Sequence, residues 1–330
     1  MARSHLTLAA LATSAVAELD VVGAAPFGSA GRGDFDAALV TGRDGRHWIV
    51  RVPRSERAEQ QQSADLVALR ALSPGVRARL PFEVSAFAGQ APVDGTRAIV
   101  SRFVAGSPVT LAGIDLALAT SLGEAIAAVH ALPTSLVTDA GLPAQSAADA
   151  HRAALALIDR AAATGLVPAA LLARWERAGE DAGLWQFTPV VVNGDLGASS
   201  FLASSGDVAG VLGWHALSVA DPARDLFWVL GTRRDGIADA VFDAYTRVRG
   251  SVDRRLRQRA TLLSELEIAR WLLHGTERRD EGIVDDAVRM LSRLVDDRLA
   301  DATDSISPPT APILAVAEVE ALLDRAERVS

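Results

Sequence analysis

The stretch that decides the fold is residues 190–202, which read VVVNGDLGASSFL. The run of valines predicts a buried strand over residues 188–192. The sequence Asn193-Gly194-Asp195 then ends the strand, because Asn, Gly and Asp favour turns. An apolar residue follows at once, so the pattern places a carboxylate on a loop between buried segments.

The residues after this loop predict a hairpin. Its strands cover residues 200–204 and 208–214, and Ser205-Gly206-Asp207 supplies the turn. The second strand ends in Gly213-Trp214-His215, and a short segment later the chain reads DPARDL over residues 221–226. A loop with an Asp, a hairpin and a second acidic segment therefore follow one another closely.

The rest of the chain divides by its periodicity into a β-rich and an α-rich part. Residues 19–105 predict mainly strands and turns, with strands over 35–41, 47–53, 81–87 and 97–103, a helix over 55–72 and a turn-rich segment over 89–95. From about residue 111 the pattern becomes helical, with helices over 116–132, within 145–183 and over 222–299. We therefore predict an α+β fold of two lobes, residues 1–105 and 106–304, followed by a Pro-rich linker and terminal helix over 305–330.

In order and spacing these motifs resemble the aminoglycoside/macrolide phosphotransferase family, which has a protein-kinase-like fold. The resemblance covers roughly residues 5–300 and implies that Asp195 positions the substrate hydroxyl and accepts its proton. The family usually has His where this chain has Asn193, and Asn and Asp as magnesium ligands where it has Ser200 and Gly213. Both metal-binding positions have thus lost their usual ligands.

The resemblance also assigns nucleotide-binding positions to the first lobe. Arg51 lies on the strand where protein kinases carry Lys, and Asp65 lies where the partner acid of the following helix is expected, so the two could form an ion pair. A loop covering the nucleotide would contain three small residues, and the hinge between the lobes would contain two further contacts; these residues are Ser29, Gly31, Gly33, Ser101 and Phe103. The nucleotide implied is ATP or GTP.

Three polar residues are expected to support the loop rather than to react. By the resemblance, Asp225 braces the catalytic loop from a helix start, and Asp221 belongs to the same segment. Asn193 replaces the His as a hydrogen-bonding residue of the loop. Asp207 and His215 are the nearest residues in sequence that could replace a lost metal ligand, although a turn and a surface role are the alternatives.

Composition limits the partners and the compartment. The chain has no Cys, which excludes disulfides and thiolate metal sites and fits a cytoplasmic protein, and all 33 basic residues are Arg. The net charge of −8 argues against a nucleic-acid partner. The acidic excess lies in residues 106–330, which suits a cationic small molecule, with general solubility as the alternative. No apolar run is long enough to span a bilayer, and the first residues favour an amphipathic helix over a secretory signal.

Three functions remain open from the sequence. The first is a pseudokinase-like module that binds a nucleotide or a small molecule but transfers phosphate poorly, because both magnesium ligands are replaced. The second is an active kinase that transfers the nucleotide γ-phosphate to a hydroxyl of a small molecule. The third is an interaction protein that binds a protein partner through the amphipathic helix over residues 314–328.

Overall fold

A computed structural model describes residues 3–28, 33–250 and 253–300 of the chain. The first six strands are β1 (Val21–Pro26), β2 (Phe35–Gly42), β3 (His47–Pro53), β4 (Glu83–Val84), β5 (Phe87–Val93) and β6 (Thr96–Arg102). All of them except β4 form one antiparallel sheet with the order β1-β2-β3-β6-β5. This sheet is the framework of the N-terminal part.

One face of the sheet is covered by helix α1 (His5–Ala15). Leu8 and Ala12 are buried against the alternate strand residues that face them, among them Val50 and Val100. Because side chains alternate across a strand, the intervening residues of β3 and β6 point to the opposite face. That second face of the sheet is therefore the one that can border a cleft.

Helix α2 (Glu56–Ala71) connects the sheet with the rest of the protein. The hydroxyl of Ser55 accepts the backbone N–H of Ala58 and so caps the N-terminus. Leu69 and Leu72 belong to the main hydrophobic core, which also holds residues of the C-terminal part. The short helix α3 (Pro74–Arg77) follows α2.

The C-terminal part is mainly helical. Its helices are α4 (Leu116–His130), α5 (Ser135–Thr138), α6 (Ala147–Ala162), α7 (Ala169–Glu180), α8 (Ile237–Arg249), α9 (Leu256–Arg278) and α10 (Glu281–Ala300). The main core lies between α4 and α8, where Leu122 and Ile126 pack with Val241. A second cluster surrounds Trp175 and Leu266 between α6, α7, α9 and α10. Burial of these apolar faces is the main source of helix stability.

Short strands hold the loops of the C-terminal part. They are β7 (Ser107–Pro108), β8 (Val190–Val192), β9 (Phe201–Ser204), β10 (Asp207–Val211) and β11 (Ser218–Ala220). A four-stranded sheet has the order β4-β10-β9-β7, so a strand from the N-terminal part pairs with the hairpin. Strands β8 and β11 pair antiparallel, with Val191 opposite Val219. These two sheets fix both ends of the segment that contains Asp195.

The predicted α+β class, with a sheet-rich first part and a helical second part, is confirmed. The prediction of a turn-rich segment over residues 89–95 is wrong, because β5 runs to Val93 and only Asp94 and Gly95 form the turn. Gly89 and Pro92 suggested a break. Strand β5 is an edge strand, where Pro is tolerated. A Cβ at Gly89 would lie 2.0 Å from the backbone oxygen of Ala15, so Gly permits close packing of α1.

Two further comparisons with the sequence predictions concern strand β11 and the C-terminal residues. Strand β11, which pairs with β8, was not predicted, because residues 218–220 are a short apolar segment. The predicted terminal helix over residues 314–328 and the linker before it lie outside the described residues. Among the helices that the structure describes, none is both long and apolar enough to cross a membrane.

Candidate active site

The loop after β8 is held by a buried carboxylate. Asp225 accepts the backbone N–H of Asn193 at 2.7 Å and that of Gly194 at 2.8 Å. Gly194 has φ +88°, and a Cβ there would lie 2.4 Å from the oxygen of Ala216. Only Gly fits this turn without strain. The loop therefore has one defined conformation that presents the next residue, Asp195.

Behind Asp225 lies a buried chain of hydrogen bonds. The Nε2 atom of His130 lies 3.2 Å from the Asp225 carboxylate, and its Nδ1 atom lies 2.9 Å from the Tyr245 hydroxyl. Arg249 donates to the backbone oxygen of His130 at 3.0 Å. Burial is the main cause that raises the pKa of Tyr245, so its hydroxyl stays protonated. This chain ties the loop to α4 and α8.

Asp221 has a separate structural role. Its carboxylate accepts the Nε and Nη2 atoms of Arg259 at 2.8 and 3.1 Å, and the same guanidinium also pairs with Asp253. Its Oδ1 atom also accepts the backbone N–H of Ala223 at 2.9 Å, which caps the 3-10 turn that contains Asp225. Because the pair with Arg259 is bidentate and buried, it fixes this turn against α9.

Asp195 itself is open to solvent, with a side chain 66% exposed. Its Oδ2 atom lies 3.2 Å from Nε2 of His215, whose ring also contacts the side-chain nitrogen of Gln61 on α2. The hydrogen bond with Asp195 is the largest cause that raises the pKa of His215; burial opposes it, and the charge of Asp65 adds to it. Sequence reasoning placed His215 near a lost metal ligand, but the structure places it against Asp195.

Gly213 contributes no side chain to the site. Its φ is +73°, and a Cβ built there would meet no atom within 4 Å. Its backbone oxygen accepts Nδ2 of Asn193 at 2.8 Å, and the N–H of the next residue, Trp214, donates to Oδ1 of Asp65 at 2.6 Å. The backbone around the family's metal position is thus held from both sides, while the position itself offers open space.

Ser200 lies beside this position but its hydroxyl is engaged. The backbone N–H of Leu212 donates to the backbone oxygen of Ser200 at 2.8 Å, which holds Ser200 close to the residue before Gly213. The hydroxyl accepts the N–H of Gly197 at 3.2 Å. Asp207 begins strand β10, and Val211 ends it four residues later, or about 13 Å away at a rise of ~3.3 Å per residue. Asp207 is therefore remote from Gly213.

Two of the first-lobe candidates, Arg51 and Asp65, meet on the sheet face opposite α1. Nη2 of Arg51 lies 3.5 Å from Oδ2 of Asp65, and the guanidinium lies over the Phe35 ring at 5.2 Å. Ser101 is buried on the neighbouring strand β6. Phe103 packs edge-on against Phe27, with ring centroids 6.2 Å apart. Two other expected positions, Ser29 and Gly31, lie outside the described residues, and Gly33 is exposed just before β2.

A cavity of about 420 Å³ opens beside Asp195 on the side of the helical part. Most of its lining residues were not assigned to a site by sequence reasoning. The apolar ones include Trp185, Phe227, Leu263 and Leu266, and the polar or charged ones include Gln145, Arg224, Glu267 and Arg270. These residues are far apart in sequence, and the motif containing Arg224 was the only signal that pointed to any of them.

Comparison with known proteins gives the family. A sequence model described as the phosphotransferase enzyme family matches residues 29–263, which is more than half of the chain. A comparison with curated proteins finds no match. Among solved structures, similar folds include the macrolide 2'-phosphotransferase MphH from Brachybacterium faecium as apoenzyme, with a TM-score of 0.72 and 22% identity over 87% of this chain and 98% of that chain.

Two further structures have the same fold. A macrolide 2'-phosphotransferase type I is 24% identical over 88% of this chain and 98% of that one, with a TM-score of 0.70. A GDP and kanamycin complex of the phosphotransferase APH(2")-IIIa is 20% identical over 87% of this chain and 98% of that one, with a TM-score of 0.69. At these identities the neighbours show the fold alone, whereas the match over residues 29–263 shows more: this chain belongs to the phosphotransferase enzyme family.

Proposed function

We propose that this protein binds ATP or GTP between its sheet and the Asp195 loop, binds a small molecule in the cavity beside Asp195, and transfers phosphate poorly. The observation that carries the proposal is the contrast between a fully braced loop and two metal positions without a carboxylate. Asp225 holds the loop through two backbone N–H groups, while Gly213 and Ser200 supply no charged oxygen.

The acceptor side of the reaction is intact in this proposal. A hydroxyl bound in the cavity would reach the exposed carboxylate of Asp195, which can accept its proton as the hydroxyl oxygen attacks the γ-phosphorus of the nucleotide. The bond between that phosphorus and the β,γ-bridging oxygen would break, and the nucleoside diphosphate would leave. Asp195 would hold the proton, or pass it to the adjacent imidazole of His215 when that ring is neutral. The rigid turn at Gly194 keeps this carboxylate in place.

The nucleotide side is supported by a charge pair and a buried strand. Arg51 supplies a guanidinium on the sheet face opposite α1, and Asp65 orients it at 3.5 Å. A guanidinium binds phosphate oxygens in a bidentate geometry. Ser101 and Phe103 lie further along the same sheet, where a base would be accommodated. The neighbour bound to GDP and kanamycin supports nucleotide use in this fold.

The donor set does not fit a protein-bound magnesium ion. Such an ion would neutralise the negative charge that develops on the phosphate in the transition state. Magnesium prefers carboxylate oxygens, but Gly213 has no side chain and the Ser200 hydroxyl accepts a backbone N–H. No group of three or more potential metal-binding side chains exists in the described part of the chain. Loss of one such electrostatic contribution costs on the order of a hundredfold to a thousandfold in rate.

Residual transfer is the second candidate, and the contact between Asp195 and His215 favours it. The protonated ring places a positive charge beside the acceptor carboxylate, although it lies on the acceptor side and not at the position of Gly213. The third candidate, protein binding through residues 314–328, lies outside the described residues. The absence of Cys supports the cytoplasm as the compartment.

The test is a melting experiment on the full chain with ATP and GTP, each with and without magnesium. A ligand at 100 times its Kd stabilises the folded state by about 2.7 kcal/mol. We expect a rise in Tm with nucleotide that magnesium changes little, together with very slow phosphate transfer. Rapid magnesium-dependent phosphorylation that is lost in Asp195→Ala would overturn the proposed impairment, and a Tm unchanged by millimolar nucleotide would overturn the proposed nucleotide site.

A further inference from the structure

Most of the charges that line the cavity beside Asp195 are paired, and one cation is not. Each lining carboxylate has a cationic partner: Asp221 pairs with Arg259, and Glu267 pairs with Arg270 on the same helix. Asp195 has its partner in the neighbouring imidazole. The acidic side chains of the cavity are thus already neutralised or hydrogen-bonded.

Arg224 is the exception in this lining. It is partly buried, and the polar contact that the structure gives its guanidinium is one hydrogen bond to the backbone oxygen of Gly194 at 3.3 Å. No ion pair to it occurs within residues 3–28, 33–250 and 253–296. A guanidinium has five N–H donors, so most of its donors remain for another acceptor. Its bond to Gly194 also places it directly beside the loop that carries Asp195.

A second guanidinium lies close enough to interact with the first. Burial and then the positive charge of Arg224 lower the pKa of Arg270, whose side chain lines the same cavity and pairs with Glu267. Arg224 belongs to the 3-10 turn before Asp225, whereas Arg270 lies on α9, so two elements direct like charges into one cavity. Arg224 has no carboxylate partner among the described residues, and Arg270 keeps N–H donors beyond its pair with Glu267, so an anion between them would accept hydrogen bonds from both.

Most of the remaining lining is apolar. Trp185, Phe227 and Leu263 form the wall, and the alanines of α6 complete it. A volume of about 420 Å³ lies within the range of small-molecule sites. The cavity therefore offers an apolar wall, two arginines, the Glu267 carboxylate that pairs with Arg270, the polar side chain of Gln145 and, at its edge, the carboxylate of Asp195.

We propose that the cavity beside Asp195 takes a small hydroxy acid, a ligand with an apolar body, a hydroxyl facing Asp195 and a carboxylate held by Arg224 and Arg270. The proposal rests on the acceptor site proposed above and names its ligand class. It differs from the cationic ligand that the net charge of the second part suggests, because the local charges of the cavity, not the charge of the lobe, contact the ligand. Binding alone tests it, so impaired transfer does not interfere.

The probes are three molecules that differ only in charge: 3-phenyllactate, its neutral amide, and the cationic 1-amino-3-phenylpropan-2-ol. Each has a phenyl ring and a hydroxyl. Titration calorimetry on the full chain measures their affinities for the wild type, Arg224→Gln, Arg270→Gln and Arg289→Gln. Arg289 is the matched control, because it is an exposed arginine of α10 that pairs with Asp286 and does not line the cavity.

We expect the acid to bind about tenfold more tightly than the amide or the amine, since a hydrogen-bonded charge contributes about 1.5–3 kcal/mol and 1.4 kcal/mol is tenfold. Arg224→Gln and Arg270→Gln should each remove most of this preference, while Arg289→Gln retains it. The second variant lies on α9, away from the loop, so it remains informative if Arg224→Gln perturbs folding.

Three outcomes would overturn the proposal: equal affinity for all three probes, preference for the amine, or no binding of the acid at millimolar concentration. Tm shifts with ATP and GTP are measured on the same samples. In Arg224→Gln and Arg270→Gln, loss of acid binding with unchanged nucleotide binding would support the ligand class. The same loss in Arg289→Gln would refute it. Acid binding without any nucleotide binding would retain the hydroxy-acid site and reject the proposed nucleotide function.

Discussion

Restoring a carboxylate at residue 213 is the strongest perturbation that the structure offers. Gly213 is exposed with φ +73°, and a Cβ there meets no atom within 4 Å, so Gly213→Asp fits without displacing neighbours. Asp adopts the left-handed region more readily than most residues, at a cost of about 1 kcal/mol. The melting temperature should fall by about 1–2 °C for a chain of 330 residues.

The restored carboxylate should raise the rate of phosphate transfer only when magnesium is present. One restored electrostatic contribution is worth on the order of a hundredfold to a thousandfold in rate. The double variant Gly213→Asp with Ser200→Asn restores both family positions; the Leu212 hydrogen bond holds Ser200 close to the residue before Gly213. Phosphate transfer and the nucleotide Tm shift are measured with and without magnesium. The control is Gly213→Asn, which has the same shape and backbone cost without the charge.

Two results would refute the reasoning. If Gly213→Asp folds, with the modest loss of stability expected, and neither variant gains magnesium dependence, the missing ligands are not the cause of the impairment. If Gly213→Asn gives the same gain as Gly213→Asp, the effect comes from the backbone at this position and not from the carboxylate.

Three further predictions concern the loop, its pH dependence and the first lobe. Asp225→Ala should lower the free energy of unfolding by about 3 kcal/mol in urea titrations, because it leaves two buried backbone N–H groups without an acceptor. Because the folded-state pKa of His215 is raised by Asp195, the pair stabilises the protein fully below the ordinary pKa of about 6.5 and loses this contribution as pH rises through the folded-state pKa. His215→Gln should therefore destabilise by about 0.5 kcal/mol at pH 5.5 and by less at pH 9, a small effect because Asp195 is exposed. Gly89→Val should cost about 1–3 kcal/mol in the same titration, because a Cβ would lie 2.0 Å from the Ala15 oxygen.

Two of these predictions have a matched control variant, and the third is checked by its own pH dependence. Asp207→Ala removes an exposed Asp at the start of β10 and should change the free energy of unfolding by less than about 0.5 kcal/mol. If Asp225→Ala loses no more than this, the bracing role of Asp225 is contradicted. Gly75→Val adds a side chain where a Cβ meets nothing within 4 Å. If its loss matches that of Gly89→Val, close packing of α1 is not the reason. A constant His215→Gln effect between pH 5.5 and 9 would exclude its ionisation as the cause.

Much of the architecture follows from local sequence signals. Strand β3 was predicted over the residues where it occurs, because alternating apolar residues end at a proline that stops the strand. Helix α4 was likewise predicted from its apolar periodicity. Strand β5 was missed because Gly89 and Pro92 favour turns locally, whereas the edge position of the strand and the backbone of α1 decide their conformation. Such an override depends on a neighbour that is distant in sequence.

The sequence by itself determined the family, the α+β class, the position of Asp195 and the absence of a carboxylate at residue 213, because these are matters of residue identity and order. The tertiary structure decided what surrounds Asp195. It placed the imidazole of His215 against the carboxylate, and it brought Arg224 and Arg270 into one cavity from a turn and a helix. Periodicity and motif spacing describe only neighbours along the chain, whereas packing of α9 against the 3-10 turn that contains Arg224 sets which charges share a cavity and whether each has a partner.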